Sequence, residues 1–131
     1  IMSTLNVNTI KAQSGSNPPT FHDSSGNAVG FLPRAWVQYD ATDNSITGSG
    51  NVSSVTDNAT GDFTMNFTNA MPDANYGCFG ACGYNDTNPN IAITSSGTES
   101  VPTTTSMRWC VCVNYNSSLN DEKHITMAII R

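Results

Sequence analysis

The run NVSSVTDNATGDFTMNFTNAMPDANY, Asn51 to Tyr76, decides the fold. It contains no lysine, arginine or histidine, and its second half alternates: Phe63, Met65 and Phe67 fall on one side of an extended chain, Thr64 and Asn66 on the other. Just before it, TDNATGD is rich in residues that reverse a chain, and Gly61 can take the positive φ of a tight turn. Val52 and Val55 end the strand ahead of that turn, with Ser53 and Ser54 placed for a β-bulge. The unit is a hairpin with one apolar face, which needs a core to lie on. Beyond it Pro72 interrupts pairing, and a new strand starts near Tyr76.

The same alternation recurs in both directions from this hairpin. It appears as Leu5, Val7 and Thr9, as Ala35, Val37 and Tyr39, and as Trp109, Val111, Val113 and Tyr115, while helical i, i+3, i+4, i+7 stripes are scarce. The turn-forming clusters SGSNPP, DSSGNAVG, TDNSITGSGN, NDTNPN and NSSLND separate these runs at intervals of about ten residues, the spacing of an antiparallel sandwich. The expected fold class is all-β: an antiparallel β-sandwich or jelly roll of about eight or nine strands, occupying residues 33–131. Residues 1–32 form a short N-terminal extended segment with a small hairpin in PTFHDSSGNAVGFLP, too poor in large apolar residues to fold alone. Leu5, Val7 and Ile10 are the candidate surface by which this segment packs on the sandwich or on copies of itself about a symmetry axis.

Composition limits what the chain does. Asn occurs 16 times and Ser plus Thr 31 times in 131 residues, whereas charged side chains make up 11%, against roughly 25% in an ordinary soluble domain. Hydroxyls and amides therefore carry the surface. A net charge of −5 repels a phosphate backbone and an anionic membrane, so nucleic acid is not an expected partner. No apolar run approaches the roughly 20 residues of a membrane-spanning helix, so membrane insertion is not expected. The opening IMSTLNVNTIKAQSG lacks the basic end and apolar stretch of a signal peptide, and Met2 is expected to be the native start.

Residue types that carry chemistry are sparse and scattered. His22 and His124 lie far apart in polar surroundings, and no nucleophile elbow, zinc-protease helix or phosphate loop is present in the sequence. Asp57 and Asp62 flank a turn without the ligand pattern of a calcium loop. Asp40, Asp43 and Asp86 do not declare themselves a facing glycosidase pair. The expectation is no enzyme, no cofactor and no bound metal. The cysteines form two pairs, Cys78 and Cys82 in GCFGACGY and Cys110 and Cys112 in RWCVCVNY, each pair on one face of a strand. Two such strands side by side would gather four sulfurs. A zinc site and an inter-strand disulfide are the reactive alternatives, but thiols two apart on a strand sit about 7 Å apart in parallel, unlike zinc knuckles. The expected role is small buried apolar groups. Five Asn-x-Ser/Thr triplets, at Asn51, Asn58, Asn66, Asn85 and Asn116, are close to what such a composition yields by chance, so glycosylation is not indicated.

The 43 residues RAWVQYDATDNSITGSGNVSSVTDNATGDFTMNFTNAMPDANY, Arg34 to Tyr76, resemble a segment of small structural proteins of marine tailed bacteriophages of the cyanophage type, described as tail-fibre or virion structural proteins. MSTLNVNTIKAQSG, PTFHDSSGNAVGFLPRAW and HITMAIIR are similar to the same proteins, whereas the four cysteines depart from their pattern. The resemblance implies a virion protein on the tail fibre or capsid surface, assembled as a homotrimer with a β-sandwich or jelly-roll head, joined to other virion proteins and bringing no catalytic residues. The leading expectation is a fibre or spike component that contacts the host surface. Two loops have the composition for a host glycan: GYNDTNPN with Tyr84, Asn85, Asp86 and Asn88, and NYNSSLND with Tyr115 and Asn116. The alternative is a capsid decoration (cement) or head-fibre protein, for which the shortness of the chain speaks. A glycan-cleaving enzyme comes third.

Overall fold

The computed structural model describes residues 7, 10, 21–30, 32–83, 91–94, 102–113 and 119–131, with the backbone alone for 91–94 and Val113. It divides into two compact units, Ile1–Leu32 and Pro33–Arg131.

In the first unit, β1 (Phe21–His22) and β2 (Ala28–Gly30) form the expected antiparallel hairpin. Asp23 organises its turn. One carboxylate oxygen accepts the backbone N–H groups of Ser25 and Asn27, both at 2.9 Å, and Gly26 takes a φ of 84°.

In the second unit, β3 (Pro33–Asp40), β4 (Ser45–Gly50), β7 (Gly77–Gly83) and β10 (His124–Ile130) make one four-stranded antiparallel sheet in the order β4-β3-β10-β7. β5 (Val52–Ala59), β6 (Asp62–Phe67), β8 (Ile91–Thr94) and β9 (Ser106–Val113) make the other, in the order β5-β6-β9-β8. Among the described residues there is no helix.

Alternation fixes which side of each strand is apolar, and the two sheets bury those sides against each other. Ala35, Val37 and Tyr39 of β3 and Ile125, Met127 and Ile129 of β10 meet Phe63, Met65 and Phe67 of β6 and Met107, Trp109 and Val111 of β9 in one core. The rings of Tyr39 and Phe63 meet edge to face at 5.3 Å across the two sheets, and Phe63 and Trp109 lie 4.8 Å apart within the second. This is the expected all-β sandwich.

The opening hairpin is β5–β6. Gly61 sits in its turn with a φ of 65°, and the register slips between Val52 and Ser54, which places a bulge at Ser53. The strand differs from expectation in length: β5 continues through Asp57 and Asn58 to Ala59, leaving a turn of only Thr60 and Gly61. Thr56 and Asp57 pair with Thr64 and Phe63, and Asn58 reaches Thr64 Oγ1 at 2.9 Å, so residues that read as turn formers act as an outer strand face. At the corner from β4 to β5, Asn51 adopts a φ of 54°. Its amide donates to the carbonyls of Arg34 (3.0 Å) and Asn69 (3.1 Å), and its Oδ1 accepts the backbone N–H of Asn69 at 2.8 Å.

The two cysteine-bearing strands do not lie side by side: β7 lies beside β10 in the first sheet, and β9 lies between β6 and β8 in the second. Cys78 and Cys82 stand opposite buried Ile129 and Ile125 and pack against the core. All four cysteines are thiols rather than half-cystines.

Candidate functional site

The loop residues expected to meet a glycan, Tyr84, Asn85, Asp86, Asn88, Tyr115 and Asn116, lie outside the described residues, as does Leu5. Val7 and Ile10 are described, in the first unit, and are 48% and 56% exposed. Two of the three carboxylates weighed as a facing pair, Asp40 and Asp43, accept local hydrogen bonds. Asp40 accepts Thr42 N–H at 3.0 Å and Thr42 Oγ1–H at 2.6 Å, and Asp43 accepts Ser45 N–H at 3.1 Å. Asp86 lies outside the described residues. His22 and His124 are both exposed, and His22 Nδ1 lies 2.8 Å from Gly26 O.

The surface that stands out is the outer face of the first sheet. Where alternation puts Val37 and Tyr39 inward, it puts Trp36 and Gln38 outward. Register then aligns Gly50, Trp36, Ala128 and Phe79 in one row across all four strands, and Gly48, Gln38, Thr126 and Ala81 in the next. Trp36 is 41% exposed and Phe79 60% exposed, large values for aromatic side chains on sheet surfaces.

Glycine leaves room for both rings. A Cβ on Gly50 would fall 2.4 Å from Trp36 Nε1, and one on Gly48 would fall 3.2 Å from Trp36 Cη2. The indole thus lies over the bare backbone of β4, one face against two glycines and the other toward solvent. A Cβ on Gly77 would come within 3.1 Å of Phe79 Cε2, so this ring too rests on a glycine. Between the rings stand only small or uncharged side chains. Arg34 shares the face at one end of β3 and Asp40 and His124 lie at the other, leaving the middle uncharged. Thr47 Oγ1 lies 3.2 Å from Gln38 O and 3.4 Å from Gln38 Oε1 and donates to them, which leaves the Nε2 end of the amide toward a ligand.

The outer face of the second sheet has the opposite character. Asn66 Nδ2 donates to Ser54 Oγ and Thr56 Oγ1, each at 3.0 Å, and Ser53 Oγ donates to Asn66 O at 3.1 Å. Buried Asp62 accepts Arg108 Nε–H at 2.8 Å and Nη2–H at 2.5 Å. These hydrogen bonds from Arg108, outweighing burial, hold the Asp62 carboxyl below the usual carboxylate range. This face satisfies its own polar groups, whereas the first sheet presents rings and an amide to solvent.

Desolvation pushes the Cys78 and Cys82 thiols up to about 11, the reverse of an activated nucleophile. Glu122 is buried and accepts from Asn120 Nδ2 through Oε1, and its Oε2 has no hydrogen-bond partner among the described residues. Among the described residues no cluster of three or more His, Cys, Asp or Glu side chains is placed to hold a metal ion.

Trp36 and Phe79 were legible in the sequence as large aromatics at the outward positions of two strands, in RAWVQYD and GCFGACG. Their significance needed the register, because neither stretch alone says that the two share a sheet. Comparison with known protein families, with curated proteins and with solved structures found no match.

Proposed function

We propose that this chain is a non-enzymatic structural protein of a tailed-bacteriophage virion, a fibre or spike component that contacts the host surface through the outer face of its first sheet. The observation that carries the contact role is the flat, uncharged row Gly50, Trp36, Ala128, Phe79, displayed by four paired strands over a packed core. A receptor surface needs shape that persists without the partner, and ring faces fixed on a sheet meet that need at little entropic cost on binding. The virion setting rests on the resemblance of Arg34 to Tyr76 to phage structural proteins. Val7 and Ile10, and Phe21 and Val29 of the hairpin, expose apolar side chains in the first unit, which suits assembly as a homotrimer or attachment to other virion proteins.

The test is localisation and loss of contact. Antibody to the purified chain should label the tail appendages of particles that carry it, and particles bearing Trp36→Ala should adsorb to host cells poorly while remaining intact. Label over the capsid, at hundreds of copies per particle, would make it the decoration protein instead. Light scattering should give three times the 13.9 kDa chain mass; a stable monomer at micromolar concentration would remove the trimer.

A further inference from the structure

We propose that the outer face of the first sheet binds an uncharged polysaccharide laid across the strands, its sugar rings stacked on Trp36 and Phe79. This inference rests on the contact role assigned to that face above and names its ligand class.

Three features of the face select the occupant. The first is the presentation of the rings. Trp36 spans the bare backbone positions of Gly48 and Gly50 and Phe79 lies beside Gly77, both rings are open to solvent, and an equatorially substituted pyranose offers a flat C–H surface to stack on such rings. Trp36 and Phe79 are separated by β10, with Ala128 between them, so nothing bulky rises in the row. Two to three strand spacings, roughly 10–15 Å, separate the rings, the reach of about two or three hexose units. The second feature is polarity: Gln38 and Thr126, in the neighbouring row, supply an amide and a hydroxyl for sugar hydroxyls at the edge of the stacked rings. Neither row carries a charged side chain, and Arg34 adjoins Trp36 along β3, so heparin is the comparison that tests whether the ligand is neutral.

The third feature is area, which argues against a second copy of the chain as the occupant. Aromatic side chains carry about 150–250 Å² each, so rings that are 41% and 60% exposed offer roughly 200 Å² together. A stable protein interface takes about 800 Å² from each partner. The two rings supply about a quarter of that, and Ala128, Ala81 and Thr126 add little, so a second copy would draw most of its contact from outside the aromatic row. A small stacked ligand needs no more than the rings and one or two hydrogen bonds.

The experiment uses the full chain with three neutral polymers, hydroxyethylcellulose, a galactomannan and dextran, and with heparin as the charged comparison. Retardation in affinity gels and tryptophan emission are read together. Trp36 is exposed and Trp109 is 1% exposed, so a ligand-induced emission change reports Trp36. At least one neutral polymer should retard the chain and shift its emission, and heparin should not replace it. Trp36→Ala and Phe79→Ala should each weaken binding by about tenfold or more. Gly50→Ala keeps the indole but forces it off the sheet, and should weaken binding comparably, with near-ultraviolet circular dichroism confirming that the core is intact. Binding to none of the neutral polymers would overturn the proposal, as would binding unchanged by all three substitutions. Concentration-dependent protection of Trp36 from iodide without polymer would overturn it in favour of a second copy. If Trp36→Ala abolishes host adsorption while no neutral polymer binds, the ligand class fails and the contact role stands; if adsorption is unaffected, the contact role itself fails.

Discussion

Replacing Gly61 by alanine tests the packing of the sandwich corner more sharply than any core truncation. Two costs arise from separate causes. At a φ of 65° an L side chain costs about 1–2 kcal/mol relative to glycine. The new Cβ would also lie 2.5 Å from Asn120 N and 2.6 Å from Val111 O, both backbone atoms. Neither neighbour is free to retreat: Val111 N–H donates to Gly61 O at 2.8 Å, Asn120 N–H donates to Val111 O at 3.0 Å, and Gly61 N–H donates to Asp121 Oδ1 at 2.7 Å. Ordinary contact requires a shift of nearly an ångström, which costs about 1–3 kcal/mol as overpacking, with hydrogen bonds worth about 1 kcal/mol each at risk. The expected total is about 3–5 kcal/mol, a fall in melting temperature on the order of 10 °C. Gly61→Asn separates the terms: asparagine tolerates the backbone conformation but keeps the Cβ, so it should recover only about 1 kcal/mol of the loss. Urea unfolding followed by tryptophan emission reads both Gly61 variants, because Trp36 and Trp109 belong to the unit that holds Gly61. A loss below about 1 kcal/mol for Gly61→Ala would mean that the corner relaxes freely, and would refute the reasoning.

Other substitutions probe single interactions. Asp62→Asn should cost about 1–3 kcal/mol by weakening the two charge-assisted hydrogen bonds from Arg108. Because the folded-state pKa of Asp62 lies below the unfolded value, its contribution is present above about pH 4 and is lost as pH falls through the folded pKa; the acid limb of a stability–pH profile should therefore flatten in the variant. Asn51→Ala should destabilise more than Asn51→Gly, because alanine loses the bonds to Arg34 and Asn69 and also resists a φ of 54°; thermal melts rank the two. Tyr76 donates its phenol to Thr103 O and Ser106 O, both at 3.0 Å, and burial pushes its pKa up to about 12. The stabilisation is complete below about pH 10 and disappears as pH rises through the folded value, so ultraviolet titration should show a late tyrosine that Tyr76→Phe removes. Cys78 and Cys82, with thiols raised to about 11, should alkylate far more slowly at neutral pH in the folded chain than in urea, as mass spectrometry of labelled peptides would show.

What the sequence determined by itself is local and periodic. A strand places successive side chains on opposite faces, so Ala35, Val37 and Tyr39, or Phe63, Met65 and Phe67, declare a buried side before any partner is known, and Gly61 marks a turn. What tertiary structure decided is adjacency. β10 enters between β3 and β7, and this placement puts Trp36 in line with Phe79. The assignment of β7 and β9 to different sheets keeps the two cysteine-bearing strands from pairing, and the register of β6 on β9 brings Arg108 to Asp62. Strand order is set by which apolar faces close together over a shared core, a property of the whole chain, and alternation within a strand says nothing about the neighbour it will find.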